Sequence, residues 1–464
     1  MEAIGFKNFR RFKEMEPITL GGVNMFVGGN NAGKSTVVKG LLLLFDFLKN
    51  GKTSFNELPK FRFDGPESHD VNIDTFRRAL CWDADEPEIV FAATLNDLFV
   101  EVCIYNLNVD KKEDLSYADI KGIKIVDNKS GIILDFQFSD IHGNIGTTIT
   151  TPKRVYRINN RKEFWSEEQP DIVGYIGGIT GLFAMGVDSI EDNSERKTRK
   201  NLDDLYGTQI KDIKIRLMRA ISKIHLEYIY SHDASQKVLY NKKDENDYVS
   251  KSIHEFYNQR ITSKSMLGKD VVCRWLKKLC DVDDYRIKNI QGEAYQFEVK
   301  TDGKWANLAD MGRGAIQIVS LLVRIASIIK KYERDNFLRN MSIEPERPIV
   351  LVEEPEQNMH PALQSQLAEM FYDVYERYGI RFIIETHSEY MVRETQIQVA
   401  KLNCKDESEL TSRNPFVVYY FPESGNPYNM GYTPKGSFIN TFGTGFFDKA
   451  TLLQFELMKE GKGK

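Results

Sequence analysis

Gly28-Gly29-Asn30-Asn31-Ala32-Gly33-Lys34-Ser35-Thr36 lies between the apolar run Val23-Asn24-Met25-Phe26-Val27 and a stretch from Thr36 through Leu48 that is apolar on much of its surface. Strand, glycine-rich loop and helix in that order are the setting of a phosphate-binding loop. The glycines let backbone N–H groups turn toward a polyphosphate, and Lys34 brings a positive charge to the β and γ phosphates. The Ser35 hydroxyl is suited to ligate Mg²⁺. Gly28, Asn30, Asn31, Ala32, Gly33 and Thr36 complete the candidate cradle. The reading is a nucleotide-binding protein.

A second apolar run, Ile349-Val350-Leu351-Val352, leads straight into Glu353-Glu354-Pro355-Glu356. A strand ending in adjacent acids suits a phosphate-loop ATPase: one carboxylate holds the magnesium shell and the next orients the attacking water. Glu353 is assigned to magnesium and Glu354 to the water; the plainer alternative is a solvated strand end. Phe382-Ile383-Ile384 then ends in Glu385-Thr386-His387-Ser388. At the carboxyl end of a strand, where α/β sheets bind ligands, His387 is a candidate for the γ phosphate or the lytic water. His360, beside Pro361, is read as shaping a turn. A third element, Trp305 to Gln317, carries Gly312 and Gly314 at the opening of a helix, where bare N–H groups favour an anion.

Composition sets the frame. The chain has 464 residues, 41% hydrophobic and 11% aromatic, enough to bury a large core in two or three lobes. Its 63 Lys and Arg nearly balance 67 Asp and Glu, so no overall field draws it to nucleic acid or to an acidic membrane. The start has no secretory apolar core, and the longest apolar stretch, Gly314 to Ile329, is broken by Gln317 and Arg324. A cytoplasmic protein without a membrane partner is expected. Cys81, Cys103, Cys273, Cys280 and Cys404 show no metal-ligand spacing and read as ordinary thiols.

Residues 1–164 read as an N-terminal ATPase lobe with the phosphate loop and an antiparallel β subdomain. In it, Ile123 to Val126 and Ile132 to Phe138 flank Asp127-Asn128-Lys129-Ser130-Gly131 like a hairpin. Residues 165–288 turn to charged, helix-period segments such as Ile210 to His225 and Val271 to Cys280, a mainly helical insertion without a sustained heptad repeat. Residues 289–464 alternate strand and helix signals again and form the C-terminal ATPase lobe. The expected fold class is therefore α/β: a phosphate-loop ATPase head with a mixed sheet and an antiparallel β subdomain, split by the insertion.

Together these motifs resemble the soluble ATP-binding-cassette (ABC) ATPases, which include RecF, the SMC proteins and the overcoming-lysogenization-defect ATPases. Within that group the sequence is similar to ATPases of bacterial defence islands, such as PtuA of Septu systems and AriA of PARIS systems. The residues that carry the resemblance are Gly5-Phe6-Lys7-Asn8-Phe9-Arg10, Gly28 to Thr36, Asp310-Met311-Gly312-Arg313-Gly314 with Gln317, Glu353-Glu354-Pro355-Glu356 with His360-Pro361, Thr386-His387-Ser388 and Gly443-Thr444-Gly445-Phe446-Phe447-Asp448.

The resemblance implies ATP and Mg²⁺ as cofactors and a homodimer in which Gly312 and Gly314 of one protomer contact nucleotide held by the loop of the other. It places Arg10 near the nucleotide, gives Glu354 and His387 the catalytic and switch positions, and leaves a larger homo-oligomer open. The chain departs from the family in three places. Ala309 stands where relatives often carry Ser, no Gln occurs from Thr36 to Phe136, and His232 takes a position where several relatives have Arg. Slow or partner-dependent hydrolysis is the consequence expected. Glu389 to Lys464 is too short for the nuclease domain that overcoming-lysogenization-defect nucleases carry, so a separately encoded effector, a nuclease, is expected. The leading functional expectation is the ATPase subunit of an anti-phage defence complex. The alternatives are a RecF-like or SMC-like tether that binds duplex through Arg196-Lys197-Thr198-Arg199-Lys200, and a nucleotide-locked scaffold.

Overall fold

The computed structural model describes residues 1–50, 60–64, 73–106, 116–139, 144–153, 155–160, 206–230, 236–244, 247–259, 266–338, 348–444 and 446–461. Arg196 to Lys200, His232 and Gly445 lie outside them. The chain divides into two compact units, one made of Met1–Leu20 and Ser35–Ile224, the other of Gly21–Lys34 and His225–Lys464.

The first unit is built on a nine-stranded sheet among the described residues, in the order Val155–Asn160, Asn144–Thr150, Ile132–Ser139, Tyr117–Asp127, Leu98–Tyr105, Glu88–Leu95, Ala3–Phe9, Phe12–Thr19, with Lys60–Arg62 paired to Tyr117–Asp127. Every pairing is antiparallel. Such a sheet needs only one face in the core, so a strand such as Leu98–Tyr105 alternates, whereas Ala3–Phe9 is buried at every residue but Lys7. Along Leu98–Tyr105, Leu98, Val100, Val102 and Ile104 are buried and the residues between them are half-exposed. The buried face is aromatic: Phe61 stacks between Phe47 and Phe91, and Phe91 also meets Phe6 and Phe9. Burial of each such ring is worth roughly 1.5–3 kcal/mol. The expected hairpin is present. Ile123 to Asp127 pairs with Ile132 to Phe136, and Asp127 ties the turn by accepting from the Lys129 N–H at 3.1 Å and the Ser130 hydroxyl at 2.5 Å.

The second unit contains a six-stranded sheet ordered Leu226–Ile229, Ile349–Glu353, Arg381–Thr386, Val23–Gly28, Phe416–Phe421, Tyr428–Asn429. The first five strands are parallel and the last is antiparallel, so the sheet is mixed. Its central strands are buried on both faces; Ile349–Glu353 and Arg381–Thr386 carry unbroken apolar runs, as parallel strands do, and Asn24 interrupts Val23–Gly28, its amide donating to the Phe382 carbonyl at 2.8 Å. Helices Arg313–Leu338 and Pro361–Tyr378 supply much of the core around it, through Ile316, Leu322, Ile325, Leu367, Phe371 and Val374. The latter helix has well-defined ends. His360 caps it, its Nδ1 accepting from the Ala362 N–H at 3.3 Å, Pro361 takes the first turn, and Gly379 stops it in the left-handed conformation at φ 67°. His360 thus shapes the turn, as its sequence position suggests. A separate four-stranded antiparallel sheet combines Tyr240–Asn241, Ala294–Thr301, Asp284–Ile290 and Lys304–Asn307. Among the described residues the chain therefore has the α/β fold expected from its sequence, with one mixed sheet and two antiparallel ones.

Candidate functional site

Parallel register decides which residues meet in the second unit. Val27 lies opposite Thr386, and Glu353 lies opposite Glu385, so three neighbouring strands run out at the same edge of the sheet. Each of them gives way to polar chain: the phosphate loop after Gly28, Glu354 after Glu353, and His387 after Thr386. This edge is where an open α/β sheet presents its ligand site.

Within the loop, Asn31 and Gly33 take left-handed backbone, at φ 60° and 100°. The value at Gly33 is well outside what a side chain with a Cβ adopts comfortably, which explains the glycine just before Lys34. The helix Lys34–Asn50 begins at once, with Ser35 and Thr36 in its first turn.

Lys34 is the centre of the cluster. Only 3% exposed, it donates to the carbonyl oxygens of Gly28 at 3.0 Å and Gly29 at 2.9 Å, and its Nζ is 3.1 Å from His387 Nε2. Glu385 Oε1 stands 4.0 Å away. An ammonium has three protons to donate and no lone pair, so His387 Nε2 is assigned as the acceptor and the ring proton to Nδ1. Burial lowers the Lys34 pKa, and the attraction of Glu385, Glu354 and Glu356 only partly offsets it. His387 is also lowered, first by burial and then by the charge of Lys34, with Glu354 acting the other way. A neutral imidazole against a cation is the consistent state.

Glu354 is held on strained backbone. Its φ is 42°, its N–H donates to the Glu385 carbonyl at 2.8 Å, Gln357 donates to its Oε2, and its Oε1 lies 3.5 Å from His387 Nε2. The carboxylate is one-third exposed and stays accessible to a water. On the adjacent strand, Tyr228 donates its hydroxyl to Glu353 Oε1 at 2.6 Å. Ser388 caps the helix Glu389–Lys401 by accepting from the Met391 N–H at 3.1 Å, and donates to Gln364 Oε1 at 2.6 Å, which fixes the segment that carries His387. Of the two residues assigned to Mg²⁺ from the sequence, Glu353 belongs to the second unit and Ser35 to the first; each is a hard oxygen donor of the kind that ion takes.

Gly312 and Gly314 open the helix Arg313–Leu338, but for different reasons. A Cβ on Gly312 would meet nothing within 4 Å, whereas one on Gly314 would fall 2.8 Å from the Asn358 carbonyl oxygen. Close packing explains Gly314, and Gly312 stands open on an exposed turn. Arg10 belongs to the first unit, in the tight turn between Ala3–Phe9 and Phe12–Thr19. It has φ 52°, its N–H donates to the Ala79 carbonyl at 2.7 Å, and its pKa is lowered by burial and then by Arg78.

The second unit therefore brings together the loop through Lys34, Glu353, Glu354 and His387, residues far apart along the chain. The sequence alone assigns no role to Glu385, Gln357 or Tyr228. The signal for Glu385 was there, because an acid at the end of an otherwise apolar, doubly buried strand requires a cation nearby.

The chain belongs to the AAA ATPase domain family, which it matches over residues 1–392. Membership of an ATPase family implies nucleotide binding. No curated protein matches its sequence. Among solved structures it is similar to an SmcHead bound to the C-winged helix domain of ScpA, at 11% identity and a TM-score of 0.39, covering 93% of this chain and 97% of that one. It is also similar to the SMC head domain from Thermotoga maritima, at 8% identity and a TM-score of 0.30, covering 90% and 95%. A third is the Smc head domain with an extended coiled coil bound to the C-terminal domain of ScpA, derived from Pyrococcus furiosus, at 12% identity and a TM-score of 0.34, covering 98% and 99%. Among the described residues no helix is long and apolar enough to cross a membrane.

Proposed function

We propose that this protein binds and hydrolyses ATP as the ABC-type ATPase subunit of a bacterial anti-phage defence complex, in which it senses infection or nucleotide state and regulates a separately encoded effector, a nuclease. The observation that carries the ATPase part is the buried Lys34 ammonium with His387 and Glu385 around it and Glu354 against His387. In this reading the loop N–H groups and Lys34 bind the β and γ phosphates, which replace the Gly28 and Gly29 carbonyls as partners of Lys34. Glu354 accepts a proton from the attacking water, and His387 orients that water or the γ phosphate. Ser35 and Glu353 would hold Mg²⁺, which neutralises phosphate charge when bound with the nucleotide. Arg10 is proposed to reach the nucleotide. A second copy presents Gly312 and Gly314, making a homodimer with two composite sites that can extend to a larger homo-oligomer.

The test is turnover by the purified chain. Glu354→Gln should abolish hydrolysis while ATP binding persists and ATP-bound dimers accumulate; unchanged turnover would remove Glu354 from the chemistry. The defence role is read by co-purification with the products of neighbouring genes. An effector whose activity follows the nucleotide state supports it. Salt-dependent duplex binding without any effector would instead favour tethering of the RecF or SMC kind.

A further inference from the structure

Glu356 lies in the turn between the strand Ile349–Glu353 and the helix Pro361–Tyr378 and is 9% exposed. Its Oε1 accepts the backbone N–H of His387 at 2.7 Å, and its own carbonyl accepts from the Met359 N–H at 3.2 Å. The other carboxyl oxygen, Oε2, is buried without a hydrogen-bond partner among the described residues. Burial is also the main influence on the acid itself and raises its pKa. A buried carboxyl is costly unless its hydrogen bonds are made, and those that this one makes, with the His387 N–H and the Thr386 side chain, reach the neighbouring strand end.

The rest of the turn shows what Glu356 connects. At one end the Glu354 N–H is tied to the Glu385 carbonyl, and at the other the Asn358 carbonyl packs so closely on Gly314 that no side chain fits there. Left-handed backbone at Glu354 and Asn358, φ 42° and 60°, fixes the path between those ends. One short segment therefore touches the strand end that leads to His387 and the helix start that carries Gly312 and Gly314.

We infer that Glu356 is a positioning residue: its carboxyl grips the His387 backbone so that the imidazole stays against Lys34 and Glu354, and it makes that placement depend on the turn packed against Gly314. The inference rests on the ATPase reading of the site. No step of the chemistry passes through Glu356 itself.

The experiment is a double-mutant cycle on the full chain, with ATP turnover, ADP affinity and thermal melting measured for each variant. Glu356→Ala should lower kcat by about tenfold or more while ADP affinity changes by less than about twofold, the split expected when a catalytic group is displaced but the binding loop is intact. Glu356→Gln keeps an acceptor for the His387 N–H and should restore kcat to within about threefold of the parent. In a His387→Ala background, Glu356→Ala should cost less than about twofold, because residues acting through one another are non-additive. Glu356→Asp, which keeps the charge but withdraws the oxygen by one methylene, should resemble Glu356→Ala and carries the test if the alanine variant does not fold. Equal losses with and without His387, an inactive Glu356→Gln, or a fully active Glu356→Ala in a chain that His387→Ala impairs would each overturn the inference alone. Turnover indifferent to His387→Ala would overturn the reading of the site along with it.

Discussion

The two large sheets of this molecule solve opposite problems. In the antiparallel sheet of the first unit, alternate residues leave the core, and its apolar content is spent on one aromatic face around Phe6, Phe9, Phe61 and Phe91. In the mostly parallel sheet of the second unit both faces are covered, so polar groups are pushed to the strand ends, and those ends fall in register. A doubly covered sheet has little room for chemistry along its strands and concentrates it at one edge. Substitutions in the two sheets should therefore differ in kind: one set changes stability, the other changes chemistry on an intact fold.

The largest effect is expected at that edge. Lys34→Ala removes the only side chain of the loop that brings a full positive charge to the phosphates, and should lower ATP turnover by about 100-fold or more, the scale set by loss of one preorganised electrostatic group. The fold should survive, because the lysine's main partners are main-chain carbonyls that a bound water can satisfy. Turnover assays alongside circular dichroism and thermal melting read both halves. A variant that unfolds would break the contrast between the sheets, since Lys34 would then be a structural residue.

The contrast also explains what could be read from sequence. Ile349-Val350-Leu351-Val352 and Phe382-Ile383-Ile384 were legible because doubly buried strands are unbroken apolar runs, and the polar residues behind them were legible because the runs stop abruptly. Asp284–Ile290 was not, since its residues are mostly exposed or half-exposed and no face is apolar enough to announce a strand. The Ala3–Phe9 segment, whose sequence shows a motif but no clear strand alternation, is a sheet strand paired on both sides. For the site, the types of Lys34, Glu353, Glu354 and His387 were readable. That Glu385 lies beside Lys34, that Tyr228 holds Glu353 and that Glu356 grips His387 are products of strand order and register, which one chain's pattern does not encode.

The aromatic face gives the next effect in size. Phe91 is fully buried against Phe6, Phe9 and Phe61, and Phe91→Ala should destabilise the protein by about 3–5 kcal/mol through lost transfer energy and a cavity. Denaturant melts measure this. The turnover per folded molecule, taken well below the melting temperature, should stay within about twofold of the parent if that sheet only supports the site. A large loss of kcat in the folded population would show that the first unit takes part in the chemistry.

A smaller change, on the chemical side, is expected from Glu385→Gln. Glu385 is the strongest attraction that opposes the effect of burial on Lys34, so its removal should lower the Lys34 pKa further. The ammonium would then lose its proton at lower pH, and the alkaline limb of the pH–rate profile should move down while the acid limb holds. A drop in kcat of about tenfold near neutral pH is the expected scale for one displaced charge contact. An unchanged alkaline limb would mean that Glu385 does not set the charge of Lys34.

The smallest effect concerns His387 and acid. Its folded pKa lies below the ordinary 6.5, so between those two values the unfolded chain holds a proton that the folded chain does not. Stability in that window therefore rises with pH: the contribution of neutral His387 is fully present above 6.5 and is lost as pH falls toward the lowered folded value. The slope cannot exceed that of a single proton. Glu356 runs the other way, because its raised pKa makes the folded state hold more protons above 4.5, so its contribution is complete below 4.5 and fades as pH rises. The two are separable by substitution. His387→Gln should remove the component that falls on acidification below 6.5 and leave the Glu356 component in place, and melts across that window compared with the parent would read the difference. If both proteins lose stability in parallel on acidification, then the neutral imidazole against Lys34 is not what the edge of the parallel sheet is built to hold.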